Sequence, residues 1–242
     1  MYFSDFNCLT KFYRKIYISP YIKGFIGLKI GIIMNEKESE LLLKFAQQPW
    51  TKYTFTEFKK LTKKKSKSYL ESFFKKYVQK QILKKEYIGK TPIYSLNFNQ
   101  KTNNYAGFLL EKKGWEQKNI PYKDIENLIK KTPTKNFILI ITGSYAKNKQ
   151  TKKSDLDVVL LVENEVDTKK IYAELAHFCE MNIPPIHIYV FKNKEFLEML
   201  LNEEHNYGKE ITKNNLILKG GQTYIQIIFE AIKNGFPNQD LS

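Results

Sequence analysis

Residues 137–162 read FILIITGSYAKNKQTKKSDLDVVLLV, two apolar ends around a polar middle. Phe137 to Thr142 is a nearly continuous apolar run, which predicts a buried strand, and it leads straight into Gly143-Ser144-Tyr145-Ala146. Leu156 to Val162 predicts a second buried strand, broken only by Asp157 near its start. Ten residues separate Ser144 from Asp155, where this second stretch opens as Asp155-Leu156-Asp157. Strand residues two apart point to the same side, so both carboxylates share one face. Two such acids repel each other unless a cation stands between them. Mg²⁺ takes oxygen ligands and is commonly held by one or two carboxylates together with substrate phosphates. Gly143 lets the backbone come close to a phosphate and Ser144 offers a hydroxyl. A helix is expected from Tyr145, whose free N–H groups favour an anion. An isolated Asp-x-Asp is commonly a solvated strand edge, and Gly-Ser after a strand is an ordinary turn. The spacing that joins them between two buried strands carries the reading.

Downstream, the pattern predicts a helix over Thr168 to Met181, a strand over Ile186 to Phe191, and helices over Glu195 to Leu201 and Tyr224 to Lys233. Upstream, Pro121 suits a first helical position, and Ile125, Leu128 and Ile129 follow on one face. The strand Ile186 to Phe191 contains no acid. If it faces the carboxylates, His187 is the occupant, with Tyr189 beside it; the commoner role for a strand histidine is packing. His177 sits beside Leu175 and Phe178 and reads as structural, while His205 follows two glutamates in a polar turn and receives no role.

The N-terminal half has a different character. Met1 to Ile33 is aromatic and weakly periodic, and Asn35 with Glu38 makes a helix start of the capping-box type. Residues 1–34 read as an N-terminal extension: either the first 33 residues form an added element, or translation begins at Met34. Leu41, Leu42, Phe45 and Ala46 form a helical stripe stopped by Pro49. A short helix follows at Thr54 to Thr62, and a third from Ser66 to Gln81. Leu83 to Ile88 and Ile93 to Asn97 read as strands around Gly89-Lys90-Thr91-Pro92, a hairpin. Three helices and a hairpin resemble a winged helix over 35–97. Asn99 to Asn104 reads as a polar linker, and Phe108 to Trp115 as a connecting helix that Gly107 and Gly114 weaken, so 98–118 joins the two parts.

The 242 residues carry a formal net charge of +15 and 42% hydrophobic content, enough for one large or two small cores. No run of 18 apolar residues appears, which argues against a membrane span, and Cys8 and Cys179 stand far apart, as reduced thiols in a cytoplasm would. Arg14 is the only arginine, so abundant lysine partly reflects coding bias. Its placement says more. From Lys52 to Lys90 there are thirteen lysines against Glu57, Glu71 and Glu86, a net +10. Lys59, Lys60, Lys63, Lys64 and Lys65 precede the third helix, as candidate DNA-phosphate contacts or as a solvated face. Without arginine, base readout would fall to lysine and sequence preference would be modest.

The Gly143-Ser144, ten-residue, Asp155-x-Asp157 arrangement resembles the nucleotidyltransferase superfamily of DNA polymerase beta, and most closely its minimal nucleotidyltransferase branch. The resemblance spans about 119–235, with 236–242 as a tail. It implies an α+β fold, a mixed sheet with helices. It implies that Gly143 and Ser144 hold the triphosphate, with Lys147 as a point charge where the family often has Arg-Gly. Asp155 and Asp157 would bind Mg²⁺ or Mn²⁺, and an NTP, ATP first, would be the substrate. Many members add a third acid on a later strand, the position that His187 occupies here. The acceptor implied is a hydroxyl on a protein, as in antitoxins that modify a HEPN-type toxin partner, or on a small molecule such as an aminoglycoside. Two rival readings stand beside it: a DNA-binding regulator with an inactive or nucleotide-sensing transferase domain, and an antitoxin acting by masking its partner.

Overall fold

A computed structural model describes residues 36–64 and 66–237. The expected extension over 1–34, Cys8, Arg14, the Asn35 cap and Lys65 lie outside the described residues. The first described helix, α1 (Glu36–Gln47), buries Leu41, Leu42, Phe45 and Ala46, the stripe read from the sequence. Its Glu38 accepts hydrogen bonds from Lys76 Nζ at 2.6 Å and Tyr77 Oη at 3.0 Å, which ties α1 to a later helix.

A two-residue strand β1 (Tyr53–Thr54) leads into α2 (Phe55–Thr62). Thr54 caps α2 in a closed box: its Oγ1 accepts from Glu57 N at 3.2 Å while the Glu57 carboxylate accepts from Thr54 N at 2.8 Å. Ser66 caps α3 (Lys67–Gln79) through its hydroxyl and Tyr69 N. The hairpin β2 (Leu83–Ile88) and β3 (Thr91–Leu96) pairs antiparallel, and β1 adds to the other edge of β3, giving the order β1-β3-β2. Phe45, Phe58, Phe73, Phe74 and Tyr94 interlock at the centre, with Phe45 on Phe58 at 4.8 Å and Phe74 on Tyr94 at 3.9 Å between ring centroids. Burial of one phenylalanine contributes about 2 kcal/mol, so this cluster is the main force holding the small sheet to its helices.

The stretch Asn99 to Asn104 is helical, contrary to the linker expected there. Asn99 Oδ1 accepts from Thr102 N at 2.9 Å and starts α4 (Gln100–Glu116). Gly107 and Gly114, read as weak points, instead let α4 lie directly on backbone. A Cβ at Gly107 would collide with Gln222 and one at Gly114 with the Ile217 carbonyl. Trp115 Nε1 donates to Leu218 O at 2.8 Å and the Glu111 carboxylate accepts from Gly221 N at 2.6 Å, so α4 is fastened to the C-terminal elements.

The second sheet has the order β6-β5-β4-β7. After α5 (Tyr122–Lys131), β4 (Phe137–Ile141) is wholly buried and pairs antiparallel with β5 (Leu156–Val162) and β7 (Leu216–Lys219). Helix α7 (Thr168–Met181) connects β5 to β6 (Ile186–Lys192), which lies parallel to it. The fold is therefore α+β with a mixed sheet, as expected. Helix α8 (Asn193–Leu201) follows β6, and α10 (Gly221–Lys233) ends the described fold. Two elements between them were not read from the sequence: α9 (Tyr207–Lys213), a polar seven-residue helix, and the short β7. Among the described residues no helix is long and apolar enough to cross a membrane. Cys179 is buried, and burial pushes its thiol up to about 11, which leaves it protonated and inert.

Candidate active site

The antiparallel pairing of β4 and β5 brings the end of one strand back to the start of the other. Ile141 sits opposite Val158, and Thr142 N donates to Asp157 O at 3.0 Å. Gly143-Ser144 and Asp155-Leu156-Asp157 therefore meet at one end of the sheet, although ten residues separate them in the chain. Gly143 has φ +64, a left-handed conformation, and a Cβ there would overlap the Asp157 carboxylate. Only glycine satisfies both conditions.

From Gly143 the chain makes a single helical turn, α6 (Gly143–Ala146), closed by Lys147 N to Gly143 O at 3.3 Å and ended by Asn148 at φ 53. The helix expected from Tyr145 starts two residues earlier and ends at Ala146, so the anion-favouring groups are the N–H groups of this one turn. Lys147 is exposed at its end, and Lys149, Lys152 and Lys153 line the exposed loop that returns to Asp155. Ser154 shapes that loop, its hydroxyl accepting from Thr151 N at 2.8 Å.

Asp157 is paired in register with His187 across the parallel β5–β6 ladder. The histidine was expected to be a packed strand residue. Its side chain is 57% exposed and stands at the acids, with Nε2 3.5 Å from Asp155 Oδ2 and Nδ1 3.8 Å from Asp157 Oδ1. The reason is strand alternation: Ile186 and Ile188 are buried, which turns His187 and Tyr189 to the other face. Burial raises the Asp157 carboxyl above the usual aspartate range, with Asp155 adding to the rise and His187 opposing it.

Tyr207, the first residue of α9, closes the back of the site and carried no signal in the sequence. Its ring lies 5.0 Å from Tyr189 and 6.2 Å from Phe191, and its hydroxyl lies near the Thr142 side chain. Burial, then Tyr189 and Asp157, push its ionisation far above the ordinary phenol value, so it serves as a neutral hydrogen-bonding wall. Tyr145 is likewise buried, with its hydroxyl raised by burial and by Asp155.

The donor set is hard and oxygen-rich, which fits Mg²⁺. Among the described residues no three His, Cys, Asp or Glu side chains are arranged to hold an ion. A cation at Asp155 and Asp157 would complete its shell with substrate oxygens and water. Elsewhere, Lys60 and Lys63 are exposed, Lys59 is half-buried, and Lys64 lies 3.8 Å from the Glu40 carboxylate.

No curated protein matches the chain. A solved structure described as "Crystal structure of the toxin-antitoxin with AMP-PNP" is similar over 47% of this chain and 86% of that one, at 15% identity and a TM-score of 0.34. Residues 123–219, which hold every strand of the second sheet and both halves of the Gly-Ser and Asp-x-Asp arrangement, match the family model of the nucleotidyltransferase domain.

Proposed function

We propose that this protein is a Mg²⁺-dependent nucleotidyltransferase that moves a nucleoside monophosphate, AMP first, from an NTP to a hydroxyl acceptor. The observation that carries the reading is the contact of Gly143 with Asp157, too close for any Cβ. It joins the tight backbone turn at Gly143 to a pair of carboxylates within one site. Gly143 and Ser144 hold the triphosphate, and Lys147 meets it as a point charge. Asp155 and Asp157 hold the metal, which when bound neutralises phosphate charge and polarises the reacting oxygens. The acceptor oxygen bonds to the α-phosphorus as the bond to the β-phosphate oxygen breaks. The hydroxyl proton passes to solvent water, since both aspartates are engaged by the metal and stand partly exposed. Tyr207 and Thr142 brace the turn from behind. A protein hydroxyl, as on a HEPN-type toxin partner, is the acceptor we favour. The 35–97 region acts as a winged helix, its Lys59, Lys60, Lys63, Lys64 and Lys65 on DNA phosphates, in keeping with its three helices, hairpin and net charge.

One observation favours a second reading, a DNA-binding regulator without transfer activity: His187 stands where an acid would otherwise complete the site. Thermal unfolding separates the two. ATP with Mg²⁺ at a hundredfold its Kd should raise Tm by about 5–10 °C, from mass action and the slope for a domain of this size. EDTA or Asp157→Asn should remove most of that rise. A wild-type protein indifferent to every Mg·NTP would leave only the regulator or the masking antitoxin.

A further inference from the structure

An acceptor can enter this site from one direction only, and the strand order says which. Strands β4, β5 and β6 lie side by side, with the Gly143-Ser144 turn at the end of β4, the aspartates at the start of β5 and His187 near the start of β6. Neighbouring strands are about 4.8 Å apart, so the turn and His187 flank the carboxylates on opposite sides. In phosphoryl transfer the entering and leaving oxygens stand roughly in line on the phosphorus. With the leaving pyrophosphate on the Gly143 turn and the α-phosphate over the aspartates, the attacking hydroxyl arrives from the β6 side.

The surface on that side is apolar. Seven large apolar side chains are exposed among the described residues, and three of them, Met181, Ile183 and Tyr189, fall within nine consecutive positions along this edge. Tyr189 shares the His187 face of β6 and is 40% exposed, with the Tyr207 ring packed against it. Ile183, 90% exposed, and Met181, 70% exposed, stand where the chain leaves α7 to enter β6. This segment reaches the site itself: Leu156 N, next to Asp155, donates to Pro185 O at 2.9 Å. Single exposed apolar residues are ordinary, but a group of them at the rim of a reacting centre marks a contact surface. No acid occurs from Asn182 to Lys192, while Lys147, Lys149, Lys152 and Lys153 are exposed on the loop that leads to Asp155.

We propose that this edge is the acceptor-docking surface, and that it fits a partner protein whose hydroxyl is presented from an apolar segment bordered by acids. The proposal rests on the transferase reading of the same site. Met181 and Ile183 bury against the partner beside the aspartates, Tyr189 positions the segment that carries the hydroxyl, and the lysine loop meets the acids. A polycationic small molecule such as an aminoglycoside meets the wrong surface. It would need carboxylates where the chain has Ile183, His187 and Tyr189, and the lysines repel it.

The test is transfer from α-labelled ATP by the full chain with Mg²⁺, offered the neighbouring gene's product and kanamycin as separate acceptors. Label should pass to the protein and not to kanamycin. Ile183→Asp and Tyr189→Ala should each raise KM for the protein acceptor by about tenfold or more with kcat little changed, a split that general damage to the fold would not give. Both variants should keep the rise in Tm that Mg·ATP gives the wild type, which shows that the nucleotide side of the site is intact. Label on kanamycin in place of the protein, or an unchanged KM in both variants, overturns the proposal. So does a wild type that binds Mg·ATP and modifies neither acceptor. A wild type that Mg·ATP does not stabilise fails earlier, at the transferase reading itself.

Discussion

Gly143→Ala tests the geometry of the active site at a single methyl group. Two effects act on it. An alanine at φ +64 costs about 1–2 kcal/mol for the left-handed backbone. Its Cβ also overlaps the Asp157 carboxylate, whose main chain is held by the Thr142 N to Asp157 O bond, and relieving such overpacking costs about 1–3 kcal/mol more. Gly89 supplies the control: it has φ +59 and nothing within 4 Å of where a Cβ would stand, so Gly89→Ala carries the backbone cost alone. At about 2–4 °C per kcal/mol for a chain of this size, Gly89→Ala should lower Tm by about 2–8 °C and Gly143→Ala by about 4–20 °C. The double variant Gly143→Ala/Asp157→Ala removes the group struck and should recover the clash component, a coupling that a double-mutant cycle measures directly. Scanning calorimetry of the wild type, Gly89→Ala, Gly143→Ala, Asp157→Ala and the double variant gives these values, and Mg·ATP titration of Gly143→Ala should show no nucleotide-induced rise in Tm. Equal Tm losses in Gly89→Ala and Gly143→Ala, with nucleotide binding intact, would refute the close approach on which the site is built.

Further outcomes follow from the same geometry. Asp157 has its pKa raised in the fold, so the folded protein binds more protons than the unfolded chain between the ordinary aspartate value and the raised one. Its charge therefore costs stability at neutral pH, and Asp157→Asn should raise the Tm of the metal-free protein there; the gain should shrink as pH falls through that window, and an Asn variant less stable at pH 7 would contradict the raised pKa. His187→Ala should keep most transfer activity if two aspartates suffice, and a loss on the order of a hundredfold in a folded protein would make the histidine a working base. Neutralising Lys59, Lys60, Lys63, Lys64 and Lys65 should weaken duplex DNA binding and lower its log–log salt slope by about one unit per lost phosphate contact; an unchanged slope would mean a solvated face.

The sequence is most legible where one local rule decides the outcome. The two buried strands around Gly143 and Asp157 are too apolar to lie anywhere but inside, and alternation alone puts both aspartates on one face. The apolar pattern likewise located the starts of α2 and α3 to within a residue, although α3 ends at Gln79 and not at the expected Gln81. What failed depends on partners distant in the chain. Gly107 and Gly114 read as helix breakers because their reason, the backbone of Gln222 and Ile217, lies a hundred residues away. Asn99 to Asn104 is polar enough for a linker, yet Asn99 acts as a cap. His187 could pack or face the acids, and only the register with Asp157 decides between these. Tyr207 begins a helix too short to show a period, and its role comes from lying across Tyr189 and Thr142.

Transfer itself is the most direct test of the central claim. The purified full chain, with Mg²⁺ and its neighbouring gene product as acceptor, should be incubated in parallel with ATP labelled in the α- and in the γ-phosphate. The account predicts α-label covalently retained on the acceptor, γ-label released as pyrophosphate, and neither event in Asp155→Asn or Asp157→Asn. Release of γ-label as single phosphate, or α-label transfer undiminished in both aspartate variants, would contradict it.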